Sequence, residues 1–497
     1  MAPTTRSQTS TPSKSSSSPN SFKSMAVSHE HEKDSKPVLA IVGTGWAGFT
    51  LLQQLSTTSL LKTYDVVVLS PSRTMALTPL LASAACGIFD FRVAEEPVRR
   101  IGMMNVASNH GSDGIKKYQV WVDSVDFEQG TLKCRPAVGS NGDEKDEESV
   151  HSHSRTNGSK SGTSKGDNNT TFEVFFDRLV IAPGSETNTF DTPGVEQYCH
   201  FMKSVSDARA VREKILDCFE LASLPHYSAS QKRSMLHFII VGGGPTGVEL
   251  AAELDELIHG HLLAIYPECS KLVKVSVYDV ADRMLGMFGE KLSEYAMEKF
   301  RRRDVNICMG RHIEGFEEGI MKVKEDGEVG FGVAVWAAGN KTCRLVREME
   351  GVKKDDGGKV LTDEWLRVKN EDEGILEGVW ALGDAAGIEG NELPATAEVA
   401  VQKAKWLAER LVSQSAMDGK HQTHFQGKEF QYEQKALVAY IGRKDGIVEG
   451  GGKWTGKSAW LAWRGGNLQW TQSWRRKCMI MIYWVLNKWD GREIARR

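Results

Sequence analysis

Val38-Leu39-Ala40-Ile41-Val42-Gly43-Thr44-Gly45-Trp46-Ala47-Gly48 is the stretch on which the fold turns. The apolar run Val38 to Val42 suits a buried parallel strand, and Phe49-Thr50-Leu51-Leu52 continues as a helix. Between them stands GxGxxG. Gly43 permits the tight turn, Gly45 lets the backbone approach a pyrophosphate, and Gly48 lets helix and strand pack closely. A diphosphate lying on Gly43, Thr44, Gly45, Trp46, Ala47 and Gly48 meets the positive end of the helix dipole. One such loop is weak evidence, but the same order of strand, glycine turn and helix returns at Leu236–Leu254. There Gly242, Gly244, Pro245, Thr246 and Gly247 form the turn, and Val248 to Leu254 the helix. Two dinucleotide-binding units of Rossmann type, in an α/β chain, are the expectation.

The strand after each loop carries the ribose-binding position. After the second loop, Val273–Tyr278 ends at Asp279, placed to accept from the 2′- and 3′-hydroxyls of a ribose. It would repel a 2′-phosphate, and the nearest arginine is Arg283, so NADH is expected over NADPH. After the first loop, Asp65–Leu69 ends at Ser70, with Arg73 behind it. Serine still hydrogen-bonds a hydroxyl, although it departs from the usual acid. Thr78-Pro79-Leu80-Leu81 reads either as a loop passing near a bound ring or as an ordinary connection. Strands end in small residues at Ala182-Pro183-Gly184, at Ala338-Gly339-Asn340 and at Gly383-Asp384. A strand-end Gly-Asp suits hydrogen bonding to the ribityl chain of a flavin. A helix starting near Ala395, through Thr396 and Ala397, points its N-terminus beyond these strand ends.

The 497 residues have 40% hydrophobic and 26% charged residues and a net charge of −3, which gives no reason to expect nucleic acid. Eight scattered cysteines without CxxC form neither a disulfide framework nor a metal set. His151 and His153 fall in a Gly/Ser/Asn/Asp/Glu/Lys stretch, 137–170, read as a disordered insertion, and no metal is expected. Residues 1–28 are rich in Ser and Thr with Arg6, Lys14, Lys23 and no acid before Glu30, which is transit-peptide-like. Seven of the thirteen tryptophans lie at or beyond Trp454, and from Lys453 onward ten Lys or Arg face two acids. Trp470, Trp474, Cys478, Met481 and Val485 follow helical spacing, beside Trp484 and Lys488. A basic, tryptophan-rich amphipathic helix reads as lying in a membrane interface. Packing on the protein, or a homodimer through this region, is the alternative. No apolar run is long enough to span a bilayer.

Taken together, GTGWAG at 43–48, LTPLLASAACG at 77–87, LVIAPGSETNTFDTPGV at 179–195, IIVGGGPTGVELAAEL at 239–254, VWAAGN at 335–340, VWALGDAA at 379–386 and LPATAEVAVQKAKWLAERL at 393–411 resemble the mitochondrial alternative (type II) NADH dehydrogenases. The resemblance implies two Rossmann-type domains, the NADH domain (233–344) inserted between two parts of the FAD domain (37–232 and 345–412). A transit-peptide-like segment (1–36) precedes them and a membrane-associating region (413–497) follows. It implies a non-proton-pumping NADH:ubiquinone oxidoreductase with non-covalent FAD, peripheral on the mitochondrial inner membrane. By motif, the first loop takes the FAD diphosphate, Ser70 the adenosine ribose, Thr78 and Pro79 the flavin ring, and Asp384 the ribityl chain. The second loop holds NADH, and Glu249 meets the nicotinamide amide. Members commonly carry Ala-Gln-x-Ala-x-Gln where the quinone docks. This chain has Glu398 in place of the first glutamine, and Gln402 as the second, so Glu249, Glu398 and Gln402 are the candidate catalytic residues.

Two other readings use the same scaffold. One is an NADH oxidase or peroxidase working through Cys86 alone. The other is a flavin-binding protein that signals its NADH-bound state.

Overall fold

The computed structural model describes residues 36–102, 114–138, 171–415, 427–492 and 494. The transit-peptide-like segment, apart from Lys36, and the insertion beyond Val138 lie outside the described residues.

The first glycine unit sits in the middle of a ten-stranded sheet. Strand Val38–Val42 runs parallel between Asp65–Ser70 and Arg178–Ile181, with Ala40 opposite Val67 and Leu179. Leu39 to Val42 are buried on both faces, which is why the segment reads as an unbroken apolar run. On one side the sheet continues through Ile115–Asp126, Thr131–Pro136 and Phe172–Phe175. On the other it takes up Ile375–Ala381, Arg367–Lys369, Val360–Thr362 and Ala386–Ile388, from much later in the chain. The helix Ala397–Ser415 packs back on Trp46–Leu55.

The second unit is a four-stranded parallel sheet in the order Val305–Met309, Lys274–Asp279, His237–Val241, Val333–Trp336. Two crossing strands, Ser185–Thr187 and Asn340–Thr342, pair antiparallel where the chain enters and leaves it.

A three-stranded meander follows, Leu437–Gly442, Asp445–Glu449 and Lys453–Thr455. Its first strand packs on the helix Pro245–Leu257 of the second unit. Two helices follow among the described residues, Lys457–Trp470 and Trp474–Trp489. The tryptophan stripe expected to lie on one helix is therefore split at Thr471–Ser473. The break has a cause: Glu96 of the first unit accepts the amides of Gln472 and Ser473, and pairs with Arg476 at 3.0 Å. A carboxylate at a helix N-terminus is favourable, and here it docks the last helix. Ile480 faces inward, while Trp474 (74% exposed), Ile482, Val485, Leu486 and Trp489 (81%) form an outward apolar face. Among the described residues no helix is long and apolar enough to cross a membrane.

Candidate functional site

The two glycine turns are built alike. The Gly43 amide donates to the Leu69 carbonyl and the Gly242 amide to Tyr278, each at 2.8 Å. Gly43 has φ +95° and Gly242 φ +116°, conformations that side chains disfavour. A Cβ on Gly43 would fall 2.2 Å from the Ala182 carbonyl oxygen, and one on Gly242 2.9 Å from Ala337. A Cβ on Gly48 or Gly247 would sit 2.0 Å from the carbonyl oxygen of Gly43 or Gly242. The third glycine is thus required by the turn's own carbonyl, which the helix crosses. By contrast, a Cβ on Gly45 or Gly244 meets no protein atom within 4 Å. Those two positions are open, as a phosphate-bearing ligand requires.

The first-unit candidates gather around this loop. Ala182 and Pro183 pass beside Gly43, with Gly184 next in the chain, and Gly383 lies against Ala47 and Ala400. Thr44 hydrogen-bonds Ser70 between hydroxyls at 2.7 Å, and the Trp46 indole donates to Thr78 Oγ1 at 3.1 Å, with Pro79 next in chain. Asp384 accepts from Ser185 at 2.8 Å. Thr396 and Ala397 open the long helix. Arg73 is exposed and bonds Gln119. In the second unit, Asp279 accepts the amides of Gly243 and Ala281, which seats it against the loop. Pro245 and Thr246 start the helix, and Ala338 and Gly339 follow the strand Val333–Trp336. Asn340 is exposed in the crossing strand, opposite Thr187.

Among the contacts between the units, one joins two of the candidate segments. Ser83, in the short helix Leu81–Ala85 after Thr78 and Pro79, donates to Glu253 at 2.9 Å. Glu253 lies one turn beyond Glu249 on the second unit's helix. The segment expected beside a flavin ring is therefore packed against the helix expected beside the nicotinamide.

Glu249 is buried, and burial pushes its carboxyl up to about 8, opposed by the Tyr440 amide and the Trp463 indole and reinforced by Glu253. The folded protein holds this proton above the ordinary carboxylate range, where the unfolded chain has lost it. The group therefore withdraws stability as pH rises towards about 8. Glu249→Gln removes that term, so the melting temperature of E249Q is expected to fall less steeply than that of the unmodified chain between about pH 5 and about pH 8. Equal slopes would contradict it.

Glu398 pairs with Lys435 and accepts from Gln402 Nε2 at 2.6 Å. Gln402 also exchanges two hydrogen bonds with the backbone of Glu433, each at 3.0 Å. The departure from glutamine at 398 is thus accommodated by a lysine from the segment leading into the C-terminal meander.

Sequence reasoning did not single out Trp463, Tyr440, Lys203 or Lys403. Lys203 donates to Ser185 and so reaches Asp384 through one serine. Lys403 is 2% exposed, and burial and Lys359 lower its ammonium to about 8 against the pull of Asp384. No local motif marks these residues, because each acts through partners distant in sequence.

Cys86 is fully buried, and burial followed by the Glu253 charge pushes its thiol up. A reactive cysteine needs access and a thiolate, and this one has neither. Among the described residues no disulfide joins two cysteines and no cluster could hold a metal.

The external alternative NAD(P)H-ubiquinone oxidoreductase B1, mitochondrial, of Solanum tuberosum is 36% identical over 369 residues, covering 73% of this chain and 57% of the relative. The B2 relative of Arabidopsis thaliana is 34% identical over 358 residues, 71% and 55%. The chain thus spans a little over half the length of these relatives. A probable NADH dehydrogenase of Dictyostelium discoideum is 29% identical over 92% of this chain and 90% of its own. Among solved structures, NDH2 from Plasmodium falciparum in complex with NADH has a TM-score of 0.78 at 21% identity, covering 93% of this chain and all of that one. The model of the pyridine nucleotide-disulphide oxidoreductase family matches residues 37–404, and the chain belongs to that family.

Proposed function

We propose that this protein is a non-proton-pumping NADH:ubiquinone oxidoreductase that holds FAD without a covalent bond. The Ser83–Glu253 contact carries the reading, because it joins the flavin-side segment to the nicotinamide-side helix. The residues fit the cofactor: Gly45 is open, the Ser70 hydroxyl stands by the loop, and Asp384 is held by Ser185 at a strand end. FAD, when bound, supplies the two-electron relay between the hydride donor and the quinone. The chain's own part is placement. The second loop and Asp279 grip the ADP half of NADH, and Glu249 orients the carboxamide. The loop around Thr78 and Pro79 excludes water from one side of the ring. Glu398 and Gln402 lie at the helix start where a quinone is expected.

The relatives' names support a mitochondrial, quinone-reducing role. The outward face of Trp474, Ile482, Val485, Leu486 and Trp489, together with Arg475 and Lys477, suits a lipid surface holding the quinone. We assign it to the inner membrane as a peripheral contact, with a homodimer as the alternative occupant. Reconstituted on vesicles, the protein is expected to oxidise one NADH per decylubiquinone without forming a pH gradient. Turnover that requires a disulfide or peroxide instead would refute the assignment.

Asp279→Asn removes the charge that repels a 2′-phosphate. The ratio of NADPH to NADH turnover is expected to rise by about tenfold, the scale of one lost like-charge contact. An unchanged ratio would remove Asp279 from the cofactor preference.

A further inference from the structure

The carboxyl group of Glu249 is held from outside its own unit. Its Oε1 accepts the Trp463 indole N–H at 2.8 Å and the Tyr440 backbone N–H at 3.3 Å. Both donors belong to the C-terminal meander and its first helix, and both converge on one oxygen. Trp463 is 8% exposed and cannot swing away. Its ring stacks on that of Tyr440, with centroids 4.6 Å apart and planes at 20°. The Tyr440 hydroxyl in turn donates to Glu256, which Arg492 holds at 2.6 Å. The indole is therefore fixed on its face by a ring that is itself anchored to the helix bearing Glu249.

A glutamate side chain has several rotatable bonds, and holding it in one rotamer costs up to about 2 kcal/mol. Two convergent donors meet that cost before any ligand arrives. They leave Oε2 to one side of the pair.

We propose that Trp463 is a positioning residue for NADH. Its indole N–H, seconded by the Tyr440 amide, fixes Glu249 so that Oε2 meets the carboxamide of the nicotinamide. This rests on the reading that Glu249 contacts that group. The membrane-facing segment then completes the NADH site as well as docking the protein on lipid.

Trp463→Phe removes the N–H and keeps a ring on Tyr440. The test follows flavin bleaching by NADH in the purified full chain, with ADP-ribose as competitor. ADP-ribose shares the diphosphate and riboses with NADH but lacks nicotinamide. In W463F the half-saturating NADH concentration is expected to rise about tenfold, the scale of one net hydrogen bond, with ADP-ribose inhibition within about twofold and flavin content unchanged. Glu249→Ala, which removes the acceptor altogether, is expected to show the same selective loss, and W463F added to E249A to change nothing further. NADH and ADP-ribose weakening together, a W463F value within about twofold of the unmodified protein, or losses that multiply in the double variant would overturn the proposal. If E249A leaves NADH unaffected, the assignment of Glu249 itself fails. If E249A shows the loss and W463F does not, only the role of Trp463 fails. Should W463F lose its flavin, W463Y is judged by the same criteria, and loss of flavin in both would mark a structural role and overturn the proposal.

Discussion

Gly43→Ala is expected to yield protein without yellow colour. The turn holds Gly43 at φ +95°, where a Cβ costs on the order of 1–3 kcal/mol in backbone strain alone. That Cβ would also stand 2.2 Å from the Ala182 carbonyl oxygen, so the two strand ends that frame the loop must part. Gly45→Ala makes the informative contrast. Its Cβ meets no protein atom within 4 Å, so the fold is undisturbed, but it intrudes where a diphosphate approaches. G43A should therefore lose both thermal stability and flavin. G45A should keep its melting temperature and lose flavin affinity by an order of magnitude or more. Flavin content after heat release, beside a melting curve, separates the two. Full flavin occupancy in G43A would show that the loop is not the cofactor's cradle.

The other large effect is expected at the far end of the chain. The Arg492 side chain is 5% exposed and pairs with Glu253 at 2.9 Å and Glu256 at 2.6 Å. It also donates to the carbonyls of Cys86 and Glu253. Burial opposes its charge, but the two carboxylates hold it protonated. Arg492→Leu would leave Glu253 charged or reprotonating in a buried site and strip two carbonyls of their donor. Breaking a buried pair from one side costs about 3–5 kcal/mol, and urea unfolding should show a loss of that size. Because Glu253 also accepts from Ser83, the loosening should reach the contact between the units. A loss under about 1 kcal/mol would place Arg492 among the weak surface pairs.

Much of the scaffold is legible in the sequence, and the reason is locality. A glycine turn, the strand before it and the helix after it occupy about twenty residues, and each glycine answers a constraint within that span or at one neighbouring strand end. Asp279 is legible for the same reason, since a strand end beside a glycine loop has a fixed place. The outer strands Val360–Thr362 and Arg367–Lys369 are not, being too short to show a period. Nor is the grip on Glu249. Its indole partner stands 214 residues away, and no spacing rule connects them. The C-terminal stripe shows a different limit. Helical spacing runs smoothly through Trp470 and Trp474, yet Glu96 captures the amides between them and ends one helix to begin another. Periodicity sees the faces of helices but not a tertiary cap.

These features converge on a protein whose two glycine turns are built on one plan and whose two units are joined by buried polar contacts. Its C-terminal unit reaches over the second turn's helix and presents an apolar, basic helix outward. The most direct test is anaerobic stopped-flow absorbance of the purified protein, mixed with NADH and then with decylubiquinone. The flavin band is expected to bleach on the first mixing and return on the second, at rates fast enough for turnover, and the C86S variant should behave alike. A band that NADH leaves untouched, or one that bleaches and then returns only with oxygen or peroxide, would contradict the account.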